Sequence, residues 1–292
     1  MTPDATRGTG ALGRSGPVIW ATAVLLGFVL LAVLAPLVAP AAPMAQLDAV
    51  HTRFLAPFTT DLNGIFHLLG TDRFGRDVWA RLAFGARISL GTGVLAVLLS
   101  SSMGLVVGTV AAVWPRRIGA ILLAVTDFGL ALPRVVLLLL LAALWRPSAG
   151  LVVVVLALTG WMAVARLVYG EARAILARPF VAAALALGAR RRRVLARHVV
   201  PNVLTPVIVA SALGLGNAIM LESGLSFLGL GVQPPTPSWG SMIASGRDTL
   251  VNAPWIAIAP GIALVLVVVA SAFLGDALQA RLRLEARPVV ER

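Results

Sequence analysis

The sequence predicts an all-α polytopic membrane protein with six transmembrane helices and both termini on the cytoplasmic side. Three observations lead there. Of the 292 residues, 59% are hydrophobic and 12% charged, and the mean hydropathy is +0.94. Those values belong to a chain solvated by lipid, not to a soluble domain around a core. Long apolar runs recur at lengths near the ~20 residues a helix needs to cross a bilayer. The net charge of +12 rests on 24 basic residues, every one an arginine, and their densest cluster lies between two apolar runs, as the positive-inside bias asks of a cytoplasmic loop. That placement also answers the nucleic-acid partner that a pI near 11.9 would otherwise suggest.

Residues 1–17 form a polar cytoplasmic tail carrying Arg7 and Arg14. Residues 18–39 are the first span. It imitates a secretory signal peptide, but its apolar stretch is longer than an h-region and further spans follow, so it is read as uncleaved. Residues 40–87 form an external segment rich in turn residues. Within it Leu69 to Asp77, LGTDRFGRD, places Gly, Thr and Asp for tight turns and a helix cap. Val78, Trp79, Leu82 and Ile88 then suit an amphipathic helix on the membrane surface. Arg53, Arg73, Arg76, Arg81 and Arg87 would all lie outside, against the positive-inside trend.

Residues 88–278 hold the remaining five spans. Ile88 to Val113 is the second, and its Gly91, Gly93, Gly104 and Gly108 permit close helix packing. Trp114 to Arg117 is a short basic loop. Ile118 to Trp145 is too long for one perpendicular helix, so its first part is placed at the cytoplasmic surface. The third span then starts near Phe128 and kinks at Pro133. Asp127 and Arg134 bracket that change. Polar groups at such depth are costly, which makes both candidate pore or gating residues beside the alternative of an ordinary interfacial helix start.

Leu151 to Tyr169 is the fourth span and Val203 to Leu221 the fifth. Glu222 closes the fifth and is the third pore candidate, its alternative being a helix-end carboxylate near water. From Glu222 to Ala253, Pro234, Pro235 and Pro237 exclude regular helix, and Leu225 to Leu230 is apolar enough to lie against the membrane or re-enter it. Trp255 to Leu274 is the sixth span, and residues 279–292 are a second cytoplasmic tail with Arg281, Arg283 and Arg287.

The loop 170–202 is built like folded structure. Pro179 suits the first turn of a helix. Phe180, Val181, Ala182, Ala183, Ala184, Leu185 and Leu187 are small or apolar, and Gly188 supplies a left-handed stop. A second helical stretch, with Arg190, Arg193 and Arg197 on one stripe, ends before Pro201. The first helix is too short to span a bilayer, yet its apolar surface is rimmed by charge. It either lies on lipid headgroups or docks a partner protein.

Ala183-Ala184, the later Gly188 and Pro201 resemble the "EAA" loop of bacterial ABC-importer permeases, whose short coupling helix docks into a cleft on the ATPase subunit. Ala182 stands where that family has its glutamate. LGTDRFGRD followed by Gly85-Ala-Arg-Ile-Ser-Leu90 is similar to the lead-in to the second span of the permeases for dipeptides, oligopeptides and nickel. Leu225 to Gly240, LSFLGLGVQPPTPSWG, resembles the same permeases nearly residue for residue. The resemblance runs from about Leu69 to Gln279. It implies a type I ABC-importer permease fold with five core helices plus an N-terminal one. It also implies a second homologous permease subunit, two ABC ATPase subunits and an external solute-binding protein, and it leaves peptide, nickel or another small solute as the cargo; the lack of a metal-ligand cluster in the sequence favours peptides.

The residue types exclude other chemistry. A P-loop needs a lysine on the nucleotide phosphates, and this chain has none. With no cysteine there is no thiolate metal site or nucleophile. His51, His67 and His198 are scattered, so no catalytic, cofactor or metal constellation is expected. A stand-alone ion-coupled carrier would place acids or histidines in mid-span, and the middles of the first, second, fourth and sixth spans have neither.

Overall fold

The computed structural model describes residues 15–39, 44, 51–114 and 116–285. The tails 1–14 and 286–292, and therefore the expected side of each terminus, lie outside the described residues. In chain order the elements are α1 (Ser15–Val38), a hairpin of β1 (Thr59–Thr60) and β2 (Phe66–His67), α2 (Val78–Val113), α3 (Arg116–Ala131), α4 (Arg134–Ala143), α5 (Ala149–Leu176), α6 (Pro179–Ala186), α7 (Arg191–Val194), a π-helical turn at Leu195–Val199, α8 (Val200–Phe227), α9 (Trp239–Arg247) and α10 (Trp255–Glu285). Five helices are long and apolar enough to cross a membrane, or six if the bent pair α3–α4 is one span.

The structure corrects four of the expected boundaries. A surface helix and a separate second span merge into one 36-residue α2, because nothing between Val78 and Val113 interrupts helical hydrogen bonding. The face carrying Val78 and Leu82 packs against Trp239 and Met242 in the protein core, not on the membrane surface. The third span is not one kinked helix. Leu132-Pro133 breaks it into α3 and α4, bent by 92°. The proline disfavours the helical region for the residue before it and has no N–H to continue the ladder. The stretch after Gly188 does not stop before Pro201 but runs into α8. A π-turn precedes it, with Val200 N–H donating to the Leu195 carbonyl, and Pro201 falls in the first turn of α8, where a missing N–H is tolerated. Finally, α9 follows the prolines directly. Ser238 and Ser241 form a reciprocal capping box at its start, and Trp239 and Met242 are buried.

Packing relies on small residues. A Cβ on Gly104 would stand 2.5 Å from Val164 Cβ and 2.8 Å from the Trp161 carbonyl, and one on Gly108 would collide with the Ala165 carbonyl. Only glycine lets α2 and α5 lie backbone to backbone there. Ser101 and Ser211 hydroxyls, 2.7 Å apart, bridge α2 to α8.

The segment ahead of α2 explains its own arginines. Asp72 Oδ1 accepts from the N–H groups of Phe74 (2.8 Å) and Arg76 (3.0 Å). Its Oδ2 meets Arg76 Nε at 2.7 Å and Arg81 Nε at 3.6 Å. Arg53, Arg73 and Arg76 also lie over the rings of Phe54, Phe74 and Phe74. These cations are committed to local structure, so they carry little topological information. Asp77 caps α2 by accepting from Ala80 N–H at 2.6 Å, and its other oxygen lies 2.7 Å from His67 Nδ1. Trp255 Nε1 donates to the Thr71 carbonyl at 3.2 Å and ties this turn to the start of α10.

Asp61 organises the β1–β2 hairpin. Burial acts to raise its carboxyl pKa, but N–H donation from Ile65 and Asn63 and the nearby His67 outweigh it, and the net is a value below the usual carboxylate. A depressed folded pKa means that the stabilisation is present above the unfolded value, about pH 4, and is lost as pH falls through the folded one. Thermal unfolding of wild type and Asp61→Asn should therefore differ near neutrality and converge below about pH 3 to 4.

Candidate functional site: the α6 loop and the central cavity

Two features are available for function, and one buried cluster joins them. The first is α6. Pro179 opens it and Gly188, at φ +86°, closes it in the left-handed region that favours glycine. Val181 is buried in a cluster with Val168, Ala172, Ile175, Val194, Val199 and Val203, which belong to α5, α7, the π-turn and α8. Phe180 meets the His198 ring edge-to-face at 5.5 Å. On the other side Ala182, Ala183, Leu185 and Leu187 are exposed, Leu187 to 89%. Ala184 is half-buried, and Pro201 lies in the first turn of α8. The helix is thus anchored through Val181 and Phe180 and presents an apolar face through Ala182, Ala183, Leu185 and Leu187.

The second feature is a cavity of about 220 Å³ between α2, α4, α5 and α8, lined by Ser100, Ser101, Arg134, Gly160, Ser211 and Asn217 among others. Arg134 is the charged side chain on its wall. The guanidinium reaches the cavity because the helix break at Pro133 puts residue 134 at the start of α4.

Of the three pore candidates, only Arg134 is placed on this cavity. Asp127 sits half-exposed on α3, 3.6 Å from Arg166 of α5. Glu222 is fully buried near the end of α8, so the expectation of a carboxylate near water is corrected. Its oxygens accept from the hydroxyls of Ser226 (2.8 Å) and Ser223 (3.3 Å), and Ser226 Oγ in turn accepts from Val232 N–H. Glu222 therefore holds the LGLGVQPP turn onto α8. The missed lining residues are Ser100, Ser101, Ser211 and Asn217. Each is a small polar residue inside an apolar run, a signal present in the sequence, but a hydroxyl can equally satisfy itself on its own helix, as Ser100 and Ser211 do on the carbonyls of Val97 and Val207.

Long apolar helices around a cavity that carries one arginine and a few small polar side chains, with a short apolar helix held at one end, fit a membrane permease. Residues 104–284, more than half of the chain, match the family described as binding-protein-dependent transport system inner membrane component. The chain belongs to that family and is a component of an inner membrane. A Brucella suis biovar 1 (strain 1330) protein named as a peptide transport system permease is 39% identical, over 88% of this chain and 83% of its own length. The dipeptide transport system permease protein DppC of Alkalihalophilus pseudofirmus is 33% identical over 88% and 82%. Among solved structures, an inward-facing MetNI methionine ABC transporter chain superposes with a TM-score of 0.55 at 18% identity, covering 68% of this chain and 95% of the other. A chain of an amino acid ABC transporter gives 0.52 at 17%, covering 70% and 93%. The fold is that of ABC-importer permeases.

Proposed function

We propose that this chain is the translocating permease of an ABC importer for di- or oligopeptides, working with a second homologous permease, two ATPase subunits and an external solute-binding protein. The observation that carries the substrate class is the similarity, along 88% of the chain, to relatives named for peptide and dipeptide transport. ATP hydrolysis belongs to the partner subunits, since a chain without lysine cannot form a P-loop.

The mechanism follows from the shared cluster. A partner that grips the exposed face of α6 moves Val181, and Val181 is packed against residues of α5 and α8, the helices that line the cavity. A close-packed interior transmits such a shift rather than absorbing it. Nucleotide-loaded and nucleotide-free ATPases then bias a two-state bundle through different contacts with one lever. The test is uptake by cells whose own peptide importers are deleted and which express this chain with its partner subunits. Labelled di- and tripeptides should accumulate in an ATP-dependent manner; accumulation of nickel but not peptide would refute the substrate assignment.

A further inference from the structure

We propose that the Arg134 guanidinium is a carboxylate-recognition point inside the cavity and takes the C-terminal carboxylate of a peptide in transit. The inference rests on the peptide-importer reading above and adds to it a named contact within this chain.

Among the described residues Arg134 forms no ion pair. Its Nε is buried with no hydrogen-bond partner among the described residues. Asp127, the acid nearest in sequence, is instead beside Arg166 at 3.6 Å, and Glu222 is held by Ser226 and Ser223. An unpaired cation at membrane depth is costly and is kept where a water-filled or substrate path uses it. Gly160 brings the wall of the cavity against the guanidinium. A Cβ there would press on Ser100 Cβ at 3.0 Å and only touch Arg134 Nη2, at an ordinary contact distance of 3.5 Å.

The wall's chemistry narrows the ligand. Ser100 Oγ donates to the Val97 carbonyl at 3.0 Å and Ser211 Oγ to the Val207 carbonyl at 2.8 Å. Their protons are committed within their own helices, and although Ser211 Oγ also meets Ser101 Oγ at 2.7 Å, each of these cavity-lining oxygens keeps acceptor capacity. Those suit the N–H groups of a peptide backbone. The guanidinium has five N–H donors in a planar fork and matches a carboxylate bidentately. One strong anion subsite beside weak acceptor groups fits a solute whose common features are one terminal carboxylate and amide N–H groups, whatever its side chains. The cavity is walled in part by α5 and α8, the helices that share the Val181 cluster, so the subsite lies where a displaced α6 would change its shape.

The experiment compares ATP-driven uptake of a labelled tripeptide with that of its C-terminal amide, in cells expressing the full importer with wild-type, Arg134→Gln, Arg134→Lys or Gly160→Ala permease. The binding protein is the same in every strain, so any discrimination it exerts cancels when acid-to-amide ratios are compared between strains. Immunoblots of the membrane fraction normalise for the amount of chain. We expect Arg134→Gln to lower the acid-to-amide ratio on the order of tenfold, Arg134→Lys to restore part of it, and Gly160→Ala to lower it less. Equal losses of acid and amide uptake in Arg134→Gln would overturn the proposal and leave the arginine a structural role. Should Arg134→Gln not accumulate, an unchanged ratio in both Arg134→Lys and Gly160→Ala overturns it instead. A wild-type importer that moves neither peptide removes the peptide reading itself and this inference with it, an outcome distinct from either.

Discussion

Leu187→Asp should abolish co-purification of this chain with the ATPase subunits proposed above while leaving its own folding intact. Leu187 is 89% exposed and ends α6 in an unstrained conformation, so the substitution removes no core contact. In the docked complex the same side chain would enter an apolar cleft. There an aspartate loses the buried methyl groups and must be desolvated without a partner. Truncating a residue at the centre of an interface typically costs 2 kcal/mol or more, roughly thirtyfold in affinity, and an unpaired charge adds to that. Val181→Asp is the contrasting variant. It places the charge in the buried cluster with Val168, Val199 and Val203, and should lower thermal stability as well as docking. Gly188→Arg lies between the two, because a residue with a Cβ is strained at φ +86°. The readout is detergent-solubilised pull-down beside thermal unfolding of the same samples. A Leu187→Asp chain that holds its ATPase as wild type does would end the claim that α6 is the docking element.

Trp239→Ala is expected to produce the largest loss of stability among single core substitutions. Trp239 is fully buried, meets Phe28 of α1 edge-to-face at 5.4 Å, and donates from Nε1 to the Leu82 carbonyl of α2 at 3.2 Å. Its backbone N–H donates to Ser89 Oγ at 3.1 Å. One residue of α9 therefore touches two spans, and it shares a cluster with Ile219 of α8 and Ile256 of α10. Removing the indole leaves a cavity that helices held by other contacts cannot fully close, at about 3 to 5 kcal/mol, or a fall in unfolding temperature on the order of 10 °C. Trp239→Phe keeps most of the ring and loses the Nε1–H bond, and should cost about 1 kcal/mol. Thermal unfolding in detergent separates the two; equal midpoints for Trp239→Ala and wild type would show that α9 is a passive insert.

The pattern of what was readable is physical. Spans were legible because their signal is compositional: a helix in lipid must satisfy its backbone within itself and show apolar side chains outward, and this holds whatever the helices pack against. The α6 helix was legible because local rules place its ends, Pro179 at the start and Gly188 at the stop. The turn at Asp72 and the cap at Asp77 were legible for the same reason. The course of the chain through Pro133 was not, because a proline inside an apolar run either bends a helix or ends it. Here the break, with α3 and α4 set 92° apart, is a tertiary outcome.

The site divided along the same line. From the sequence alone came the class of protein, the approximate spans, the apolar loop helix and the exclusion of a P-loop from this chain, all consequences of residue type and local spacing. Only the tertiary structure decided that Arg134 lines a cavity while Asp127 and Glu222 are held elsewhere. Only it decided that α9 is a buried wedge, and that Val181 joins α6 to the helices around that cavity. A charged residue in an apolar run has the same sequence signature whether it meets a partner or a void, and which it meets depends on residues far away along the chain.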